Sequence, residues 1–190
     1  MAFEEYTGAF ERALAQLVTA FGESPDACFS QADLHAAFFS RLLQSDVLDI
    51  LYTTRDGRRT PLVHQQYPAS PFLAPELGST EAGSERYDIV LLNPSFVRSS
   101  ELDAVARQGP PRAARRRADQ EPALPLLAAA NLMVVDRLSP ANMDLIERRF
   151  YALVHAERDA MRAYMGVFLR QWELDEEAQQ GFQAVESWAR

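Results

Sequence analysis

Lysine is missing altogether, and all 19 basic residues of the chain are arginine. No reaction step here can use a lysine side chain, and arginine cannot replace it in proton transfer because its pKa is too high. Cysteine occurs once, as Cys28, so no internal disulfide can form, which fits a reducing, cytoplasmic setting. The three histidines, His35, His64 and His155, are scattered without zinc-like spacing. Each reads as a satisfied, partly buried residue. Gly78 and Gly83 stand apart in a turn-rich stretch, so no glycine loop cradles a phosphate, and no Gly-x-Ser-x-Gly elbow occurs. No apolar run approaches the ~20 residues of a bilayer span. The N-terminus, Met1-Ala2-Phe3-Glu4-Glu5, is acidic and lacks the basic segment of a secretory signal. No membrane partner is therefore expected.

What is present is acidic and apolar. The net charge is −8, from 27 acids, and 47% of the 190 residues are hydrophobic. That length and composition predict one soluble domain over 1–190 with a core spanning about 30–170. A globally negative surface repels phosphate, so DNA or RNA could bind only at a local basic patch. Arg55, Arg58 and Arg59 in one turn, and Arg112, Arg115, Arg116 and Arg117 in one loop, are the two candidates. The plainer reading of these patches is a solvated turn and an exposed loop.

Apolar periodicity predicts a helix from Phe3 to Phe21, with Phe3, Tyr6, Phe10, Leu14, Leu17, Val18 and Phe21 on one face. Ser30 reads as the N-cap of a second helix carrying Leu34, Ala37, Phe38, Leu42 and Leu43. Val47–Thr53 is β-rich, Asp56-Gly57 signals a tight hairpin turn, and Pro61–Tyr67 is the expected return strand. Pro68–Ser84 reads as a loop, and Glu85–Leu92 as a buried strand ending at Asn93-Pro94. Ser99–Pro122 reads as a long exposed connection with a short helix near Leu102–Ala106. Leu126–Val135 is an apolar strand. Ser139-Pro140 opens a helix with Met143, Ile146, Phe150, Leu153 and Val154 on its apolar face. Tyr164–Leu169 is a strand, and Asp175–Trp188 a closing helix. The order predicts an α/β fold: a mixed sheet of about five strands flanked by helices.

Two strands carry isolated polar residues. Asp88 sits within Arg86-Tyr87-Asp88-Ile89-Val90-Leu91-Leu92, and Asn131 within the apolar run before Val135. Together with Ser30-Gln31-Ala32-Asp33-Leu34 opening a helix and Gln65-Gln66-Tyr67-Pro68 ending a strand, this arrangement resembles the PD-(D/E)XK nuclease superfamily, the restriction-endonuclease-like fold. The resemblance implies a core of helix, antiparallel three-stranded meander, crossover helix and further strand. It also implies acids on adjacent strands that hold Mg²⁺, and a lysine beside the attacking water. Carried over by position, Asp88 matches the aspartate, Asn131 falls where the glutamate belongs, and Met133 falls where the lysine belongs. Gln31 sits where a helix acid often lies, and Gln66 where some members have an acid.

The departures share a direction. Gln31, Gln66 and Asn131 keep the outline of a carboxylate and lose its charge, and Met133 cannot donate a hydrogen bond. Asp88 alone should bind Mg²⁺ weakly, so no cofactor is expected, with Mg²⁺ implied only if the chain is active. The expectation is a catalytically inactive nuclease-like protein that binds nucleic acid or a protein partner. Two alternatives stand beside it. One is an active nuclease with a rearranged site, using Asp88 with Glu85 or Asp136, although Asp136 has the opposite strand parity from Asn131. The other is a scaffold or homodimerising module. The plainer reading of Asp88 is a strand residue paired with Arg86 or capping a loop, and that of Asn131 is a side chain satisfied by backbone.

Overall fold

Two N-terminal helices cover a sheet whose central strands are almost wholly apolar. The computed structural model describes residues 3–28, 30–68, 86–106, 124–136, 139–154, 160–170 and 188–189. Helix α1 (Phe3–Glu23) buries Tyr6, Phe10, Ala13, Leu17 and Phe21. Val18 was expected on that face but is 55% exposed, since it lies about 100° round the helix from Leu17. Phe3 frays outward at 43% exposure. Helix α2 (Gln31–Leu43) starts as expected, with the Ser30 hydroxyl accepting from the Asp33 N–H. It buries Leu34, Phe38 and Leu42 at a spacing of four residues. Phe10 of α1 meets Phe38 edge-on at 5.2 Å and stacks on Tyr164 at 5.6 Å, which ties both helices to the sheet. Each such buried ring contributes about 1.5–3 kcal/mol.

The expected hairpin is present but belongs to a separate two-stranded sheet. Strands β1 (Leu51–Thr53) and β2 (Arg59–Pro61) pair antiparallel around Gly57, whose φ of 80° is the left-handed conformation a tight turn needs. Val47–Asp49 is not strand: the Leu48 and Asp49 N–H groups turn back onto the Ser45 carbonyl. The expected strand Pro61–Tyr67 is broken at buried Leu62, and the chain resumes as β3 (Val63–Pro68) in the main sheet.

That sheet has the order β3, β4 (Arg86–Leu92), β5 (Leu126–Val135), β6 (Ala160–Leu169), with the two-residue β7 (Trp188–Ala189) on its outer edge. Strands β3, β4 and β5 form an antiparallel meander, and β6 lies parallel to β5. Parallel neighbours need a crossover, supplied by α5 (Pro140–Val154). Two short helices follow β4: α3 (Pro94–Ser99) and α4 (Leu102–Ala106). The strand ends at Asn93-Pro94 as expected, and the unexpected helix α3 starts there, with Asn93 capping it by accepting from the Ser95 N–H at 2.9 Å. Of the expected apolar face of α5, Ile146 packs against the core, whereas Met143 and Phe150 do not bury. Met143 and Phe150 are 46% and 39% exposed, while Asn142, Ile146 and Arg149 are half-buried. The side chains of Leu153 and Val154, the loop at 69–85, most of the 99–122 connection and the expected helix up to residue 187 lie outside the described residues. Trp188, expected to end that helix, pairs instead with Ala163 in β7.

Candidate functional site

Strands β4 and β5 part company halfway along. Their last partner pair toward this end is Ile89 with Ala130, yet β5 continues to Val135. Backbone groups past that point need other partners, because an unpaired buried N–H costs about 1–3 kcal/mol. Side chains supply them. The Leu132 N–H donates to Asp88 Oδ2 at 2.8 Å. The Asp88 N–H donates to Asn131 Oδ1 at 3.1 Å. The Val134 N–H donates to Gln31 Oε1 at 3.1 Å, and the Gln31 amide in turn donates to the Leu132 carbonyl. Gln31 therefore works as a substitute strand edge from the first turn of α2.

Asp88 is the centre of this fork and only 4% exposed. Its Oδ2 also lies 3.2 Å from Arg149 Nη1 of α5 and 3.3 Å from His35 Nε2 of α2. Its Oδ1 receives the Gln66 amide at 3.4 Å. Burial alone pushes the carboxyl pKa up. The His35 and Leu132 hydrogen bonds and the Arg149 charge outweigh burial and hold it below the ordinary carboxylate range. The cluster thus contains an ionised acid already matched by a cation.

His35 Nε2 also lies 2.8 Å from the Gln31 amide nitrogen. With Nε2 bare, His35 accepts there; with the proton on Nε2, it donates to Asp88. Gln66 has a φ of 51°, the one left-handed non-glycine among the described residues, and it drops out of the β3–β4 ladder opposite Asp88. Such a conformation costs about 1–3 kcal/mol, and strain of this kind clusters at sites. Arg86 donates to the Gln66 carbonyl at 3.1 Å, so it braces Gln66 and does not pair with Asp88.

A divalent cation does not fit this donor set. Asp88 is the single carboxylate in it, and no group of three or more His, Cys, Asp or Glu among the described residues could hold a metal. The Gln66 amide presents N–H toward Asp88, and a guanidinium takes the remaining approach to Oδ2. Mg²⁺ requires near-octahedral oxygen, with carboxylate charge to offset its dehydration.

Four of the five positions suggested by sequence converge: Asp88, Asn131, Gln31 and Gln66. Met133 does not. It is 4% exposed and joins the apolar core. Asp136 is 69% exposed and pairs with Arg170 at 3.0 Å, away from Asp88, as its parity implied. Glu85 lies outside the described residues, as do Arg112, Arg115, Arg116 and Arg117 of the loop patch. In the turn patch, Arg55 pairs with Glu101 at 2.5 Å, and Arg58 pairs with Asp56 at 2.7 Å and Asp103 at 3.1 Å. The Thr54 hydroxyl and the Arg58 guanidinium hold the Asp56 carboxyl down at about 2. Arg59 is exposed on β2. Sequence reading missed His35 and Arg149. The first lies four residues after Gln31, on the same helical face. The second follows half-buried Ile146 by three residues on the inward side of α5.

No protein-family model matches the chain, and comparisons with the curated proteins and with the solved structures find no significant match.

Proposed function

We propose that this chain is a catalytically inactive protein of the PD-(D/E)XK nuclease type that serves as a binding component. The order of helix, antiparallel meander, crossover helix and parallel strand supports this reading. The observation that carries it is the state of Asp88: its carboxylate is consumed by Leu132, Arg149, His35 and Gln66, all from within the chain. A phosphodiesterase of this type needs that charge free for a cation that polarises phosphate and activates water. Here it closes a strand fork instead.

The partner favoured is protein and not nucleic acid. Arg55 and Arg58 are each matched to acids, and the net charge is −8, so the turn has little positive charge to spare for phosphate. The test is incubation of the purified protein with single- and double-stranded DNA and RNA in Mg²⁺ or Mn²⁺. No cleavage above that of Asp88→Ala is expected. Metal-dependent cleavage that disappears in Asp88→Ala would end this reading. Fluorescence anisotropy at low salt gives the second arm. Weak binding, unchanged by Arg55→Ala and Arg58→Ala, is expected, and tight, steeply salt-dependent binding would favour nucleic acid.

A further inference from the structure

We propose that His35 is a proton-operated switch on the open end of β5: with Nε2 bare it holds the Gln31 amide against that strand, and a proton on Nε2 commits the ring to Asp88 and releases Gln31. Two contacts compete for one atom. His35 Nε2 lies 2.8 Å from the Gln31 amide nitrogen, 3.3 Å from Asp88 Oδ2 and 3.4 Å from the Leu132 carbonyl. The Gln31 amide cannot turn round to suit the ring. Its oxygen accepts from the Val134 N–H at 3.1 Å and its nitrogen donates to the Leu132 carbonyl, so β5 fixes which end faces His35. A donor N–H therefore points at Nε2, and the uncharged ring carries its proton on Nδ1. Protonation of Nε2 sets two donors 2.8 Å apart, while the new N–H gains the Asp88 carboxylate and the Leu132 carbonyl. Gln31 gives way, because its contact with the ring has become repulsive.

What is released is the strand edge beyond the point where β4 leaves β5, because Gln31 holds the Val134 N–H there. The Asp88 side of the fork stays shut, since the Leu132 N–H keeps its carboxylate acceptor. The charged groups at the ring are Asp88 from β4 and Arg149 from α5, which pairs with the same Oδ2. Strand β5 presents the Leu132 carbonyl, and β3 presents the uncharged Gln66 amide, bonded to Asp88. Helix α1 meets α2 through Phe10, and among the described residues no ionisable group of α1 or β3 pairs with His35. On α2 itself, Asp33 is bonded to Ser30 and Arg41 to the Ala37 carbonyl. The His35 side chain is 12% exposed, so solvent protons reach it. None of this depends on a nuclease origin.

The experiment takes the full chain from about pH 8 to about pH 5, the span in which histidines commonly titrate. Long-range ¹H–¹⁵N spectra of the His35 ring report which nitrogen holds the proton. Amide exchange, corrected for intrinsic rate, reports the protection of Val134 and Leu132 relative to Leu92, whose N–H is bonded to the Leu62 carbonyl at 2.8 Å. Nε2 is expected bare at the alkaline end and protonated at the acid end. Over the same span the Val134 protection ratio should fall about fivefold, the factor of one ordinary hydrogen bond, while the Leu132 ratio holds. His35→Gln offers Gln31 an uncharged acceptor that does not titrate, so its Val134 ratio should stay flat. The proposal is overturned by a proton on Nε2 at the alkaline end, or by a ring that takes no second proton. It is equally overturned by a Val134 ratio that holds while the ring titrates, or by the same fall in His35→Gln. Should His35→Gln fail to fold, His35→Asn is read by the same criterion, and the wild-type spectra decide the ring state without either.

Discussion

Replacing Asp88 by alanine removes the acceptor that terminates the β4–β5 ladder. The Leu132 N–H, bonded at 2.8 Å in a buried setting, loses its partner, which costs about 1–3 kcal/mol. The Arg149 pair is also lost. The Arg149 side chain is 37% exposed, so water recovers most of that interaction and the loss is about 1 kcal/mol. Relief of carboxylate desolvation offsets part of the sum, leaving a net destabilisation of about 2–3 kcal/mol. Asp88→Asn keeps a carbonyl toward Leu132 and should cost about half as much. Urea denaturation measures both: with a slope of ~2 kcal/mol/M, the alanine midpoint should fall by about 1–1.5 M. Amide exchange gives a local check, since the Leu132 N–H should exchange far faster in the alanine variant. An alanine variant within ~0.5 kcal/mol of wild type, with the Leu132 amide still protected, would refute the claim that Asp88 bonds hold the fork closed.

Three further outcomes follow from the same contacts. The folded Asp88 carboxyl has a lowered pKa, so the unfolded chain binds its proton first as pH falls. Its stabilisation is therefore complete above the ordinary value of 3.8 and is lost as pH drops through the lower folded value. The urea-midpoint gap between wild type and Asp88→Asn should be flat at neutral pH and shrink below about pH 4, whereas a gap that widens on acidification would be the wrong sign. Gly166→Ala places a Cβ 2.8 Å from the Phe168 ring and 2.9 Å from Leu132 Cδ2, so thermal denaturation should show a loss of about 1–2 kcal/mol, and an unchanged melting temperature would contradict that packing. Asn93→Ala removes the cap of α3 and the bond to the Leu124 carbonyl at 3.0 Å, and should cost about 1–2 kcal/mol, measured the same way.

Much of this architecture was legible in the sequence because apolar period and strand parity are strong signals. The α1 stripe apart from Phe3 and Val18, the α2 stripe, the Asp-Gly turn and the two apolar strands stand where those signals put them. The meeting of Asp88 with Asn131 follows from antiparallel pairing of those strands. The break at Leu62 was not legible, since nothing local distinguishes one seven-residue strand from two short ones in different sheets. Asn93-Pro94 ends the strand as expected, but the helix that it opens was not anticipated although a cap followed by proline is a helix start. Arg149 was invisible for a different reason. The inward side of helix α5 carries Asn142 and Arg149 beside Ile146, while Met143 and Phe150, which looked like core residues, are 46% and 39% exposed. Tertiary charge pairing overrode the apolar pattern there, and periodicity alone cannot report which side a charge is needed on.

The most direct test of the cluster as a charge-satisfied cleft is paramagnetic broadening. Mn²⁺ is titrated into ¹⁵N-labelled wild-type protein, and the backbone amides of Asp88, Leu132 and Val134 are followed. Internal neutralisation by Arg149 predicts that these resonances broaden no more than the average buried amide at millimolar Mn²⁺. Selective, saturable broadening of those three amides that vanishes in Asp88→Ala would show a working metal site in the native chain and contradict the central claim.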